Sequence, residues 1–216
     1  MSWFRSRRPP ATLEEQAPAA PETHQSLALP DLLSQLHPDR RLHILDLGPA
    51  IGSNVAFWTG RHLCTVEVAD LYPSLVAASR ADPVAAMAAA LPDNGSRPFD
   101  VVLAWDVFNY LDRPRLAALG ARLAARSRPG TLLLALLWTG KEIPAEPGRF
   151  LIQDDSHLVY GVDLARTRPG PRYRPAEIAA VTRGFATDRS FLLRHGVQEY
   201  LLVRERDRPP EAREPG

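Results

Sequence analysis

The feature that most constrains the fold is a short apolar run that ends in an acidic residue and opens into a turn with two glycines. It reads "LHILDLGPAIGSN" over residues 42–54. Apolar residues dominate the run up to Asp46, which predicts a strand buried on both faces of a sheet. Gly48 and Gly52 allow the backbone to turn sharply and to approach a ligand closely. The overlapping "IGSNVAFWTGR" predicts a helix that begins at this turn.

The alternation of strand and helix continues along the chain. Further strands are predicted at "LCTVEVAD", "PFDVVLAWD" and "TLLLALLW", and helices between them at "PSLVAASR" and "DRPRLAALGARLAARS". A short leading helix is predicted at "SLALPDLLSQLHP". Strands that alternate with helices are typical of the α/β class. We therefore expect a Rossmann-like, mostly parallel sheet with helices on both faces.

The pattern changes after residue 139. A hairpin that turns at Asp154–Asp155 is predicted in "RFLIQDDSHLVYGV", and a helix follows in "RPAEIAAVTRGF". The last periodic segment, "RSFLLRHGVQEYLLVRE", contains two strand-like runs separated by His195–Gly196. A connection of two residues makes neighbouring strands antiparallel. The parallel sheet is therefore predicted to end in a C-terminal antiparallel hairpin.

The two ends of the chain differ in composition from its body. Residues 1–26 and 205–216 are rich in proline and charged residues and have little periodicity, so we expect disordered tails there. Residues 27–204 are predicted to form one domain. Trp3 and Phe4 beside the arginines of the N-terminal tail make a weak membrane anchor at most.

Composition narrows the classes of partner. Basic and acidic residues number 26 and 25 and are interleaved, whereas nucleic-acid binders gather their basic residues into a patch. We therefore expect no nucleic-acid partner. The sequence has no apolar run of about 18 residues and no apolar stretch behind its basic start, so we expect no stable membrane association and no secretory signal. The single cysteine, Cys64, fits a reducing, cytoplasmic setting, and no residues have metal-ligand spacing.

Polar residues follow the predicted strands at the points where ligands bind in open α/β sheets. After the first strand, the helix that begins near Gly52 points its N-terminus at the turn, which favours a negative group there. Asp70 follows the second strand, where a carboxylate can accept hydrogen bonds from a ribose diol. The next strand is followed by "WDVFNY", which groups Trp105, Asp106, Asn109 and Tyr110.

The glycine spacing separates two classes of ligand. A dinucleotide-binding turn has the pattern G-x-G-x-x-G. Counted from Gly48, the second glycine is replaced by Ala50 and the third falls one position early, which disfavours nicotinamide and flavin cofactors. The spacing that is present is Asp46-x-Gly48-x-Ala50-x-Gly52.

At these residues the sequence resembles the class I S-adenosylmethionine-dependent methyltransferases. Asp46, Gly48 and Gly52 match the first motif of that family, and Ala50 replaces its middle glycine, a substitution that the family also shows. The segments "VEVADLYPSL", "FDVVLAWDVFNYLDRPRLAALGARLAARSRPGTLLLALL" and "RSFLLRHGVQEYLLV" resemble the family's later motifs and its antiparallel last two strands. The resemblance covers roughly residues 41–203.

The resemblance implies S-adenosyl-L-methionine as cofactor, methyl transfer, and a set of site residues. The charge balance favours a small-molecule acceptor over nucleic acid, and a protein acceptor stays open. The turn would hold the methionine end, Asp70 the ribose, and the group after the next strand would flank the methyl and the acceptor. Asp106 or His157 would take the acceptor's proton. Residues 140–174 would cover the site and select the substrate. The implied cofactor-binding residues are Asp46, Gly48, Pro49, Ala50, Gly52, Asn54, Asp70, Leu71, Trp105, Asp106, Asn109 and Tyr110.

Several alternatives stay open. Only residues 71–98 separate Asp70 from Phe99, where the family fits a helix, a third strand and an acidic residue for the adenine. The third strand is therefore expected to be reduced, with the adenine bound in a compressed pocket or by main chain and apolar side chains, and Asp82 can be a helix cap instead. Asp46 can brace the turn or contact the ligand. The rival function is a non-catalytic, methyltransferase-like binding or scaffold protein.

Overall fold

A computed structural model describes residues 21–77, 85, 89–92, 97–193 and 196–206. The strands are β1 Glu22–Gln25, β2 Leu42–Asp46, β3 Cys64–Val68, β4 Phe99–Trp105, β5 Ser127–Trp138, β6 Glu142–Pro144, β7 Arg149–Ile152, β8 His157–Gly161, β9 Thr167–Pro169, β10 Phe185–Leu192 and β11 Val197–Arg204. The helices are α1 Ala28–Ser34, α2 Gly52–Arg61, α3 Leu71–Ala77, α4 Arg113–Ala125 and α5 Pro175–Val181, with a 3-10 turn at Val107–Tyr110.

The central sheet has the strand order β10-β11-β5-β4-β2-β3. The pairs β2–β3, β2–β4 and β4–β5 are parallel, whereas β11 is antiparallel to both β5 and β10. The predicted α/β class, the mostly parallel sheet and the C-terminal antiparallel hairpin are therefore confirmed.

Apolar side chains cover both faces of this sheet. Every residue of β2 and of β4 is buried, as the continuous apolar runs predict. One face carries α3, α4 and α5, whose buried residues include Leu71, Leu116 and Ile178. The opposite face carries α1 and α2, together with aromatic residues from the segment after residue 139.

The segment between β5 and α5 forms two antiparallel ribbons. The hairpin of β7 and β8 is confirmed, with Arg149 opposite Gly161 and Ile152 opposite Leu158. A second, shorter ribbon pairs β6 with β9. Because both ribbons follow the end of β5, they lie where the sequence predicts a cover over the site.

One boundary differs from the prediction at the N-terminus. The segment that was expected to be a tail up to residue 26 contains β1, which pairs antiparallel with β8 from Glu22 opposite Tyr160 to Gln25 opposite His157. The N–H of Ser26 also donates to the carbonyl of Ser156, at 2.8 Å. The strand conformation of Glu22–Gln25 depends on backbone pairing with a hairpin that is distant in the sequence, and the polar sequence "ETHQ" does not indicate that pairing.

The region after Asp70 contains α3 and, within its described residues, no strand before β4. β3 is the last strand of the sheet on this side. The proposed cap Asp82 lies outside the described residues, as does His195. The connection between β10 and β11 is longer than the two residues predicted, because the strands end at Leu192 and begin at Val197.

Candidate functional site

The carboxyl ends of β2, β3, β4 and β5 meet at one edge of the sheet because these strands are parallel. This edge carries Asp46 at the end of β2, Asp70 shortly after β3 and Trp105 at the end of β4. The backbone ties the first two together, since the N–H of Ala69 donates to the carbonyl of Asp46 at 2.7 Å and the N–H of Leu71 to that of Leu47 at 3.2 Å. The sequence-predicted cofactor residues of β2, β3 and β4 are therefore brought together.

Asp46 braces the turn that follows it. Its Oδ1 accepts hydrogen bonds from the N–H of Gly48 at 2.9 Å and from the indole Nε1 of Trp105 at 2.6 Å. Burial raises the pKa of this carboxyl to about 6, the nearby charge of Asp70 acts in the same direction, and the two hydrogen bonds oppose the shift. Of the two alternatives left open for Asp46, the structure shows the bracing contact.

The indole of Trp105 lies over Gly48. Trp105 has a φ of 47°, the left-handed region that side chains other than glycine rarely adopt. A Cβ added to Gly48 would lie 2.7 Å from Cδ1 of this indole. Gly48 is therefore required by the packing of the protein itself.

The other end of the turn is open. Gly52 is the first residue of α2, and a Cβ added there would meet no atom within 4 Å. The helix has no side-chain cap at this end, so its first N–H groups face the turn without a side-chain acceptor. Pro49 is half-buried and Ala50 is exposed. Asp70 is exposed beside this opening, whereas Leu71 is fully buried and serves the core.

Asn54 has a different partner from the one predicted. It is buried, its Nδ2 donates to the carbonyl of Phe150 at 2.8 Å, and its Oδ1 accepts from the N–H of Ile152 at 2.9 Å. The side-chain amide of Asn54 thus forms with β7 the two hydrogen bonds that the backbone of a neighbouring strand would form. Asn54 holds the β7–β8 hairpin against the first turn of α2, and its amide is not free for a ligand in this conformation.

Asp106 is also buried and also holds the segment after β5. Its Oδ2 accepts from the N–H of Gly148 at 2.9 Å. Burial raises the pKa of Asp106 to about 7, while the hydrogen bond from Gly148 and the side chain of Trp138 lower it in part. Asp106 therefore lies at the expected edge, covered by residues 144–148.

Asn109 and Tyr110 make contacts of the same kind. Asn109 donates from Nδ2 to the carbonyls of Asp106 and Leu136, at 2.7 and 2.9 Å, and its Oδ1 accepts from the N–H of Trp138 at 2.9 Å. The hydroxyl of Tyr110 donates to the carbonyl of Pro144 at 3.1 Å. These side chains join the 3-10 turn to the end of β5 and to β6.

His157 is the first residue of β8 and lies beside the turn of the β7–β8 hairpin. Its Nδ1 is 2.9 Å from Asp154 in the hairpin turn, and Asp155 in the same turn pairs with Arg61 at the last residue of α2, at 2.8 Å. Asn54, in the first turn of α2, lies about 10 Å from Arg61 along the helix axis. No hydrogen bond joins His157 to Asp106 in the part of the chain that the structure describes, and a catalytic role for His157 stays a prediction. The β7–β8 hairpin was correctly predicted. The direction in which it runs along α2 depends on tertiary packing, which local sequence patterns do not indicate.

Two features of the site were missed by the sequence analysis. Tyr72 covers Tyr110 edge-on at 5.3 Å and donates from its hydroxyl to the carbonyl of Ala145 at 3.3 Å. The second feature is a cavity of about 580 Å³ at the end of β5. Its lining residues are Arg113, Trp138, Thr139, Arg172, Tyr173, Arg174, Glu177 and Gln198. The sequence signal for this cavity is the arginine density of "RPGPRYRP", a segment without strand or helix periodicity.

Neither a membrane-spanning helix nor a metal site is present in the part of the chain that the structure describes. No helix there is long and apolar enough to cross a membrane. No group of three or more His, Cys, Asp or Glu side chains there is placed to hold a metal ion.

Comparison with known proteins gives one family match. A family model described as "Methyltransferase domain" matches residues 21–157. A comparison with curated protein sequences finds no significant match.

Several solved structures are similar to the chain at low sequence identity. The amino pentose methyltransferase CalS10 from Micromonospora echinaspora has 16% identity and a TM-score of 0.49, over 82% of this chain and 88% of CalS10. The 1,6-didemethyltoxoflavin N1-methyltransferase from Burkholderia thailandensis has 18% identity and a TM-score of 0.47, over 83% and 77% of the two chains. Overlaps of this size do not identify a substrate.

Proposed function

The chain belongs to the methyltransferase domain family, and from that premise we propose that it transfers a methyl group from S-adenosylmethionine to a small-molecule acceptor. The single cysteine also favours the reducing cytoplasm as the place of action. A cavity of about 580 Å³ at the same edge of the sheet has the size of a small-molecule site, which favours a small molecule as the acceptor.

The observation that carries this proposal is the open end of the turn between β2 and α2. Gly52 has neither a positive φ nor a packing neighbour that would exclude a side chain. A glycine that the protein does not need for itself leaves room for a ligand to approach the backbone. Asp70, exposed beside it, supplies a carboxylate for a ribose diol.

The residues present fit the cofactor on one side of the turn. The Gly48 side is covered by the indole of Trp105, so the cofactor is assigned to the side of Gly52 and Asp70. The N-terminus of α2 is uncapped and favours the carboxylate of the methionine end. Asp70 accepts hydrogen bonds from the ribose hydroxyls.

The cofactor supplies an activated methyl on a sulfonium, so the bond from sulfur to the methyl carbon breaks as the bond from that carbon to the acceptor forms. The chain's own residues bind the acceptor, hold it in line and exclude water, which supplies most of the acceleration. Of the two candidate bases, Asp106 is the one at this edge. A pKa near 7 suits a group that takes up the acceptor's proton at neutral pH.

Calorimetric titration with S-adenosylmethionine tests the proposal with matched variants. Gly52 and Gly60 are exposed glycines of α2, and neither has an atom within 4 Å of an added Cβ. Gly52→Ala is expected to weaken cofactor binding at least tenfold, and Gly60→Ala to leave it unchanged. Asp70→Ala is expected to weaken binding by a similar factor, with the exposed Asp39→Ala as its control. Absence of binding to the folded wild-type protein at millimolar cofactor would refute the proposal.

A non-catalytic binding protein of the same fold is the second candidate. It is favoured by the side chains of Asn54, Asp106 and Tyr110, which hold the segment after β5 instead of facing an open site. The two functions differ in one measurement. Methylated products, sought by mass spectrometry in cells with and without the protein, are expected only if the protein is catalytic.

A further inference from the structure

The cavity at the end of β5 lies between the sheet and two helices. Trp138 is the last residue of β5 and Thr139 follows it, Gln198 lies near the start of β11, and Arg113 begins α4. The remaining wall is the segment that leads into α5. The volume of the cavity, about 580 Å³, is within the range of sites for small organic molecules.

Positive charge dominates the cavity wall. Three arginines and one carboxylate line it. Glu177 pairs with Arg113 at 2.9 Å and accepts the backbone N–H of Arg174 at 3.0 Å. Among the described residues, neither Arg172 nor the side chain of Arg174 forms a salt bridge. One carboxylate therefore faces three arginines, and the excess of positive charge on the wall favours an anion.

The backbone at Arg172 is held in an unfavourable conformation. Its φ is 46°, in the left-handed region. The next residue is fixed, because the hydroxyl of Tyr173 donates to the carbonyl of Leu111 at 2.6 Å. Backbone strain of this kind persists where the surrounding structure over-determines it, and it clusters at ligand sites. Here it accompanies a guanidinium on the wall of the cavity.

Two aromatic side chains give the cavity flat surfaces. Trp138 and Tyr173 both line it, and the guanidinium of Arg113 lies 5.5 Å from the ring centre of Tyr173. Trp138 is also linked to the proposed methyl-transfer edge, since its backbone N–H donates to Oδ1 of Asn109, whose Nδ2 donates to the carbonyl of Asp106. Trp138 and Asn109 therefore connect the wall of the cavity to Asp106.

We propose that this cavity is the acceptor site and that it takes a small aromatic carboxylate, whose ring lies against Trp138 and Tyr173 and whose carboxylate is bound by Arg172 and Arg174. The assignment of the cavity to the acceptor rests on the proposed function. Arginine suits the carboxylate because its planar guanidinium donates two parallel hydrogen bonds.

The experiment titrates the full chain with 4-hydroxybenzoate and with the uncharged 4-hydroxybenzyl alcohol, and follows tryptophan fluorescence and heat. The carboxylate is expected to bind at least tenfold more tightly than the alcohol. The double variant Arg172→Gln, Arg174→Gln is expected to lose about 10- to 100-fold in affinity for the carboxylate, the range for hydrogen bonds to charged groups. Arg183→Gln, at an exposed arginine outside the cavity wall, is the control and is expected to bind as the wild type does.

Equal affinity for the two probes, or unchanged binding by the double variant, would overturn the assignment of an aromatic carboxylate. A separate titration with S-adenosylmethionine distinguishes this failure from that of the proposed function. Cofactor binding without selectivity for the carboxylate contradicts the inference alone. Selective carboxylate binding without cofactor binding supports the anion site but contradicts the methyltransferase proposal and the acceptor role with it.

Discussion

The indole of Trp105 and the ring of Phe150 are stacked, with centroids 5.5 Å apart and planes inclined by only 3°. The ring of Phe150 also packs against that of Tyr160, with centroids 4.7 Å apart, and the ring of Tyr160 stacks on that of His24, with centroids 4.1 Å apart. A row of rings therefore runs from the turn at Gly48 to the N-terminal strand. Through this row, the β7–β8 hairpin and the cofactor turn are packed as one unit.

Removal of the central ring should loosen that unit. Phe150→Ala is expected to destabilise the protein by about 3–5 kcal/mol, the usual cost of truncating a buried phenylalanine. It should also decrease the association rate of S-adenosylmethionine, because the turn that leads from Gly48 to Gly52 is less rigid once Trp105 loses the ring that holds it against Gly48. Urea unfolding and stopped-flow fluorescence measure the two effects.

The control for this variant is Phe57→Ala, a buried ring of the same apolar layer that stacks edge-on with Trp58. It is expected to lose stability by a similar amount without a change in the association rate. Equal changes in rate for the two variants would show that the effect comes from general loosening.

Asn54 offers a test of how the hairpin is held. Asn54→Ala leaves the carbonyl of Phe150 and the N–H of Ile152 without their partner, which is expected to cost about 1–3 kcal/mol for each buried group. Hydrogen exchange should then become faster at the amide of Ile152.

Asn54→Asp separates the two hydrogen bonds. Its carboxylate can still accept from the N–H of Ile152 but cannot donate to the carbonyl of Phe150. Protection of the Ile152 amide is expected to be retained in this variant. Equal loss of protection in both variants would contradict the assigned hydrogen bonds.

The sheet could be predicted because its signals are local. The buried strands β2, β4 and β5 are apolar runs in the sequence, and the amphipathic spacing of Leu116, Leu119 and Leu123 predicts α4. The site was predicted in part for the same reason, because Asp46 and Asp70 follow strands. What could not be predicted depends on tertiary contacts. The β1–β8 pairing, the covering of Asp106 by Gly148 and the direction of His157 all require knowing where residues 139–174 pack.

Gly48→Ala tests whether that glycine serves the fold. A Cβ at this position would lie 2.7 Å from the Trp105 indole and 3.3 Å from the Asp46 carboxylate. We expect a loss of about 1–3 kcal/mol, in the range for overpacking a buried site. The same substitution in a Trp105→Ala background is expected to cost less than half as much, because the clashing atom is gone. A penalty that is the same in both backgrounds, measured by urea unfolding, would contradict this explanation.

The buried carboxyl of Asp106 should make stability depend on pH. Burial raises the pKa of Asp106 from 3.8 to about 7, so between these values the folded state holds a proton that the unfolded state has released. The contribution of Asp106 to the free energy of unfolding is therefore fully present below about pH 4 and is lost as the pH rises through about 7. The loss is at most about 4 kcal/mol, from about three pKa units at 1.4 kcal/mol each.

Asp106→Asn isolates this effect because the amide oxygen can still accept the hydrogen bond of Gly148 but does not titrate. The stability of the variant relative to the wild type is expected to increase between pH 4 and pH 8, by a few kcal/mol, in urea unfolding followed at several pH values. The comparison cancels groups common to both proteins, such as Asp154, whose pKa is lowered by hydrogen bonds from Ser156 and His157. Asp39→Asn, at an exposed carboxylate, controls for the loss of one charge. If the difference between Asp106→Asn and the wild type does not change with pH, Asp106 does not carry the buried proton in the folded protein.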